Sequence, residues 1–263
     1  MPFFQHPDSF RQYFELHGRA NPAPAIVLCH GAGGNALSWW QQLAALSRDQ
    51  PALVFDHRHF GRSPDVAGGP GRAAFATDLA RLLDHLALGP VVLVAHSMAG
   101  RTAVGMLRLR PDLVLGVLFS GTHAGALDDV SRALQHYHRA GPLGHLPLRR
   151  RALHPAFAEH HPQMAFLYES IARRNPPRSR DFLAVPPNYR GSTVEMLRPV
   201  ASRLRFVVGG ADAVVPPEVV RRAAKLVGAP CHVIARGGHS TYFERPEEFN
   251  ALVRLHVDSL QRS

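Results

Sequence analysis

Six short apolar runs punctuate the chain: Ala25–Cys29, Ala52–Phe55, Val91–Ala95, Val114–Phe119, Leu204–Val208 and Cys231–Ala235. They are rich in Val, Ile, Leu and Phe, and they lack the polar alternation of a strand with one wet face. A strand covered on both faces reads as a continuous apolar run. The runs therefore predict a mostly parallel central sheet with helices on both faces. Amphipathic stretches lie between them: Ala36–Ser47, Ala73–Leu88, Pro216–Val227 and Arg245–Leu260. Pro216–Val227 opens on prolines, which suit a first helical turn, and stops at Gly228, which suits a helix end. Arg245–Leu260 opens with Pro246, Glu247 and Glu248, placing negative charge at the positive end of the helix dipole. Strand alternating with helix predicts an α/β layer architecture. The apolar patches at Phe3–Phe4 and Tyr13–Leu16 predict an antiparallel hairpin at one sheet edge.

The rhythm breaks between residues 124 and 199. This stretch is rich in histidine and arginine and carries Pro176–Pro177 and Pro186–Pro187. Its helical patches, Val130–Ala140 and Pro162–Arg173, are short. It is expected to be a helical cap inserted between core strands, with residues 1–123 and 200–263 forming the core. With 263 residues, 46% of them hydrophobic, the chain is long enough to bury a sizeable core.

Composition narrows the function classes. The formal net charge is +10, and Lys225 is the only lysine. The arginines are scattered, and the single run, Arg149–Arg151, has neither interleaved aromatics nor zinc-ligand spacing. No nucleic-acid partner is expected. The two cysteines, Cys29 and Cys231, sit in apolar runs and read as reduced thiols. The N-terminus shows no basic stretch followed by an apolar one, and no apolar run approaches the roughly 18 residues of a membrane span. A cytoplasmic protein without a membrane partner, monomer or homodimer, is the expectation.

The segment Val91–Gly100 carries the strongest chemical signal. An apolar strand runs into small residues around a serine, Ala95-His96-Ser97-Met98-Ala99, and a helical stretch follows. A sharp strand-to-helix turn lifts the serine hydroxyl toward a substrate, and the flanking residues must be small to fit the turn. The segment resembles the nucleophile elbow of the α/β-hydrolase superfamily, of the serine esterase and lactonase kind, with Ala95 and Ala99 where the pattern has glycine. Taken alone, a strand-end serine capping a helix would read the same way.

The order of further motifs strengthens the resemblance. His30-Gly31-Ala32-Gly33-Gly34 follows the Ala25–Cys29 run and resembles the family's oxyanion loop. The resemblance places the oxyanion donors on the backbone N–H groups of Ala32 and Met98. Asp212, just past Leu204–Val208, resembles the family's acid, although an aspartate there could also cap the next helix. Position 120–123, Ser-Gly-Thr-His, offers no competing acid. His239, after Gly237–Gly238 and before the last helix, completes the family's order of serine, acid and histidine. Asp56-His57-Arg58-His59-Phe60-Gly61 resembles a structural turn of these enzymes, with His59 where glycine is usual. A left-handed backbone is expected at residue 59, and His57 or His59 could alternatively face substrate.

The resemblance implies two-step acyl transfer. Ser97 is the nucleophile, His239 the base and Asp212 the orienting acid, acting on a small ester-like molecule without cofactor or metal. Serine at 97 argues against epoxide or halide chemistry, for which relatives use aspartate. Trp39, His123, Phe166, Tyr168, Phe182 and Tyr189 are candidate pocket residues. Alternatives remain open: carbon–carbon bond hydrolysis, a lyase or a cofactor-free oxygenase on the same scaffold, or a binding protein without catalysis.

Overall fold

The computed structural model describes residues 3–19, 23–178, 182 and 194–262. In chain order the strands are β1 (Phe3–Gln5), β2 (Arg11–His17), β3 (Ile26–Cys29), β4 (Ala52–Phe55), β5 (Val91–His96), β6 (Val114–Ser120), β7 (Leu204–Gly209) and β8 (Cys231–Ile234). They form one sheet in the order β1-β2-β4-β3-β5-β6-β7-β8. β1, β2 and β4 pair antiparallel, and every pair from β4 to β8 is parallel. The expected hairpin is present, with Phe3 opposite Tyr13.

The helices of the core are α1 (Trp40–Leu46), α2 (Phe75–His85) and α3 (Gly100–Leu109) in the first half of the chain. Between β6 and β7 come α4 (Asp129–Ala140), α5 (Leu148–Arg151), α6 (Pro155–His160), α7 (Pro162–Arg173) and α8 (Val194–Leu197). The core resumes with α9 (Pro217–Val227), α10 (Thr241–Glu244) and α11 (Pro246–Gln261). Helices are thus inserted between two core strands, as the broken rhythm predicts.

Alternate residues of each strand enter two different cores. Val27, Leu53, Leu93, Ala95, Phe119 and Phe206 pack with Leu79, Leu82 and Leu83 of α2, Ala103 and Met106 of α3 and Val220 of α9. Ile26, Leu28, Val54, Val92, Val94 and Val207 pack with Trp39, Leu46 of α1 and Phe249, Val253 and Val257 of α11. Both faces are dry, which is why the strand runs show no polar alternation. Each such side chain, fully buried, contributes about 1.5–3 kcal/mol. The second core also takes in Ala152, Leu153, Tyr168 and Ile171, so the inserted helices share packing with the sheet.

The chain leaves β4 and re-enters the sheet as β5 on the other side of β3. The strand order therefore reverses between β3 and β5, and in open α/β sheets ligands bind beyond the carboxyl ends of the strands at such a point. The segments following β3 and β5 meet there.

Candidate active site

Ser97 follows β5 directly, with φ of +51°. A left-handed backbone at a non-glycine residue is strained and persists only where the surroundings enforce it. Here a one-turn 3-10 helix, Ser97–Ala99, leads at once into α3. Ala99 is buried, and Gly100 abuts Thr122: a Cβ there would lie 2.8 Å from Thr122 Oγ1.

The loop after β3 comes against this turn. A Cβ on Gly31 would lie 2.7 Å from His96 Cδ2 and 3.2 Å from Ser97 Cβ, so only glycine permits the approach. Ala32 and Met98 both pack on the same small apolar cluster, formed by Phe60, Phe75 and Phe182. The two residues expected to supply oxyanion donors thus pack on one apolar cluster. Gly33 faces the inserted helices: a Cβ there would be 3.8 Å from the Tyr168 hydroxyl and from Leu148. Gly34 closes the loop, its N–H donating to Gly31 O at 3.1 Å and its Cα side pressed against Ser38.

Asp212 and His239 are both 3% exposed. His239 Nδ1 donates to Asp212 Oδ2 at 2.8 Å. The carboxylate can only accept, so the proton sits on Nδ1 and leaves Nε2 free to take another. The other carboxylate oxygen, Oδ1, accepts from the backbone N–H groups of Val214 and Val215 at 2.8 and 2.9 Å. The histidine ring lies 4.7 Å from that of His96, the residue before Ser97. A Cβ on Gly121, just past β6, would be 3.0 Å from the same ring. The segments after β3, β5, β6, β7 and β8 therefore converge on one place.

A buried relay ties the loops together. His30 Nδ1 donates to Gly31 O at 2.9 Å, so its Nε2 is an acceptor. It receives the backbone N–H of His57 at 3.0 Å and His57 Nδ1–H at 3.2 Å. His57 Nε2 then accepts from the Thr102 hydroxyl on α3 at 3.0 Å. Burial keeps both rings neutral: it lowers the pKa of His30 to about 4 and that of His57 well below the usual range, with His30 and Arg72 adding to the latter. His57 is therefore part of the scaffold. His59 has φ of +66°, as expected, and its Nε2 meets Pro177 O at 2.9 Å. Arg58 is paired with Asp78, Asp8 and Asp65, and Asp56 accepts from Ala36 N and Arg62 N, so the turn is structural.

The pocket candidates separate. Phe182 lies beside Phe60, Phe75 and His59, with ring centroids 5.2–6.5 Å apart. Tyr168 reaches from α7 to Ser240, hydroxyl to hydroxyl at 2.8 Å, and burial pushes its pKa up to about 12. His123 is partly buried and accepts from Gly125 N. Burial and the charges of Arg139, Arg101 and Arg132 bring its pKa down to about 4. Trp39 must be moved: it is fully buried between Tyr242 and Phe249, in the core. Phe166 is 68% exposed and belongs to no apolar cluster. Tyr189 lies outside the described residues.

The sequence of the Alpha/beta hydrolase family matches residues 26–252, which hold every segment of this site. The chain belongs to that family. Among full-length relatives of this hydrolase, a protein of Stutzerimonas stutzeri named putative carbamate hydrolase RutD is 26% identical, covering 93% of this chain and 96% of its own. A thermophilic esterase from Thermogutta terrifontis superimposes with a TM-score of 0.79 at 23% identity, covering 98% of this chain and 97% of that one. An enzyme described as degrading N-acyl homoserine lactones gives a TM-score of 0.74 at 24% identity, covering 96% and 99%. The likeness to these two structures is one of fold.

Among the described residues no group of three or more His, Cys, Asp or Glu could hold a metal ion, and no helix is long and apolar enough to cross a membrane. Two site residues escaped the sequence reading. Glu244, on α10, accepts from Gly238 N and from His154 N of the inserted segment. Its signal was its place in the segment after His239, between the histidine and the last helix. Arg178 donates to Ala32 O at 2.9 Å, and nothing in the pattern around Pro176–Pro177 distinguishes it from its neighbours.

Proposed function

We propose that this hydrolase cleaves a small carboxylic ester or lactone through an acyl-enzyme on Ser97, with His239 as base and Asp212 as the acid that orients it. The observation that carries the reading is the Asp212–His239 hydrogen bond at 2.8 Å, which leaves His239 Nε2 basic beside the segment bearing Ser97.

The steps follow from the groups present. Ser97 Oγ bonds to the carbonyl carbon as its proton passes to His239 Nε2. The carbonyl electron pair moves onto oxygen, where the N–H groups of Ala32 and Met98 stabilise it. Collapse breaks the bond to the leaving alkoxide, which takes the proton from His239. Water then attacks the acyl-enzyme, gives its proton to His239 and releases the acid, while Ser97 recovers its proton. Asp212, hydrogen-bonded to Nδ1, stabilises the imidazolium. Phe60, Phe75, Phe182 and Met98 would line the acyl side, and residues 124–199 would act as the cap over it. The names of the full-length relatives add carbamates to the substrates worth testing, since the same nucleophilic attack serves a carbamate carbonyl.

A fluorophosphonate probe and a panel of short-chain p-nitrophenyl esters, lactones and carbamates test the proposal. The wild-type protein is expected to label at Ser97 and to turn over members of the panel. Ser97→Ala should lose labelling and reduce kcat by about 10³-fold or more. Labelling at another residue, or turnover that survives Ser97→Ala, would overturn it.

A further inference from the structure

Two arginines of the inserted segment contact loops of the site and form no ion pair with any of the described residues. Arg178 lies against the oxyanion loop: its Nη2 donates to Ala32 O at 2.9 Å and its guanidinium sits 4.1 Å over the Phe60 ring. Its Nη1 is shielded from solvent and has no hydrogen-bond acceptor among the described residues. Arg151 lies against the acid loop, its Nη1 3.4 Å from Ala213 O and its Nε shielded and likewise without an acceptor. Among the described residues neither arginine forms a salt bridge. Burial lowers the pKa of both.

A shielded guanidinium N–H without an acceptor is costly, and more so because the group is charged. Arg58, 1% exposed at its side chain, shows the satisfied arrangement, paired with three carboxylates, whereas Arg205 Nε, away from the site, is shielded and also lacks an acceptor among the described residues. What sets Arg178 apart is its place, beside Ala32, where the substrate carbonyl is expected, and at the apolar cluster of Phe60, Phe75, Phe182 and Met98. A ligand that packs against this cluster and also carries an anion would satisfy the orphaned donor. The planar guanidinium fork suits a carboxylate.

We infer that the substrate carries a carboxylate on its acyl side and that Arg178 is the specificity-determining residue that binds it. This rests on the ester hydrolase reading above. The apolar cluster takes the methylene chain, Arg178 Nη1 takes the carboxylate, and Nη2 keeps its hold on Ala32 O. Arg151, at the far side near Asp212, adds positive potential to the same cleft.

The test compares two esters of equal chain length, mono-p-nitrophenyl adipate and p-nitrophenyl hexanoate, with uncatalysed hydrolysis subtracted. The wild type should favour the adipate in kcat/KM by about tenfold or more, the scale of one charge-assisted hydrogen bond. Arg178→Met should lose that preference, kcat/KM for the adipate falling at least about tenfold further than that for the hexanoate, and Arg178→Lys should keep part of it. Calorimetric titration with free adipate reads the same contact without turnover, with binding in the wild type and loss in Arg178→Met. If both esters lose activity in parallel, Arg178 merely braces the oxyanion loop and the inference falls. It falls also if the wild type neither prefers the anionic ester nor binds adipate. If adipate binds through Arg178 but neither ester is cleaved, the carboxylate site stands and the ester hydrolase reading fails.

Discussion

Glu244 shows how much one side chain can tie together. Its carboxylate accepts from Gly238 N at 3.1 and 3.2 Å, next to His239, and from His154 N at 3.0 Å, on the inserted segment. Burial pushes its pKa up to about 7, with Asp212 adding to the rise and Arg245 opposing it. The folded protein therefore holds a proton here that the unfolded chain has lost above its ordinary carboxylate range. The stabilisation is fully present below about pH 4.5 and is lost as pH rises through about 7. Glu244→Gln keeps an acceptor oxygen and cannot ionise. The wild-type melting temperature, measured against that of Glu244→Gln, should fall between about pH 5 and about pH 8. A difference that stays flat across the range would show that Glu244 does not titrate there. Asp212 offers a contrast at the same scale: its Oδ1 is held by two backbone N–H groups and its Oδ2 by His239.

The elements put these residues in place through close approaches that small residues allow. α2 and α3 cross where a Cβ on Gly105 would lie 2.5 Å from Ala76 Cβ. Glycine inside a helix costs about 1 kcal/mol relative to alanine, so propensity alone would favour replacing it. The contact reverses that expectation. Gly105→Ala must push the two helices apart and should destabilise by about 1–3 kcal/mol, lowering the melting temperature by several degrees. An unchanged or higher melting temperature would show that the helices part at little cost. The elements themselves were legible because both faces of the sheet are dry, and α7 runs over Pro162–Arg173 as its pattern predicts. Side-chain direction was less legible. The Ala36–Ser47 stretch reads as one helix, yet it begins with a 3-10 turn, Ala36–Trp39, capped by Asn35. Trp39 ends that turn between Tyr242 and Phe249, so it packs in the core and not in the pocket. The residues of the proposed triad could be picked out because each sits at a strand end, in the order serine, acid, histidine. Arg178 was not, because its significance lies in a contact with Ala32, 146 residues away in sequence.

Across the whole molecule, 30 lysines and arginines face 20 aspartates and glutamates. Sequence alone gives this excess two readings, a solvated basic surface or an anionic partner. The carboxylate inferred at Arg178 separates the two by experiment. A positive field draws an anionic ester toward the cleft and leaves a neutral one unaffected, and salt screens that field. Between about 0.01 M and about 1 M ionic strength the Debye length falls from about 30 Å to about 3 Å. The kcat/KM for mono-p-nitrophenyl adipate should fall several-fold over this range, while that for p-nitrophenyl hexanoate stays level. The long-range and local contributions respond differently to Arg178→Met. Removing one charge of thirty leaves the field nearly intact, so the salt dependence of the anionic ester should persist in the variant at a lower absolute rate. A shielded contact is screened far less than a surface one, so salt alone should not abolish the wild-type preference. If both esters respond to salt in parallel, the basic charge plays no part in substrate capture, and the solvated surface is the sufficient account of it.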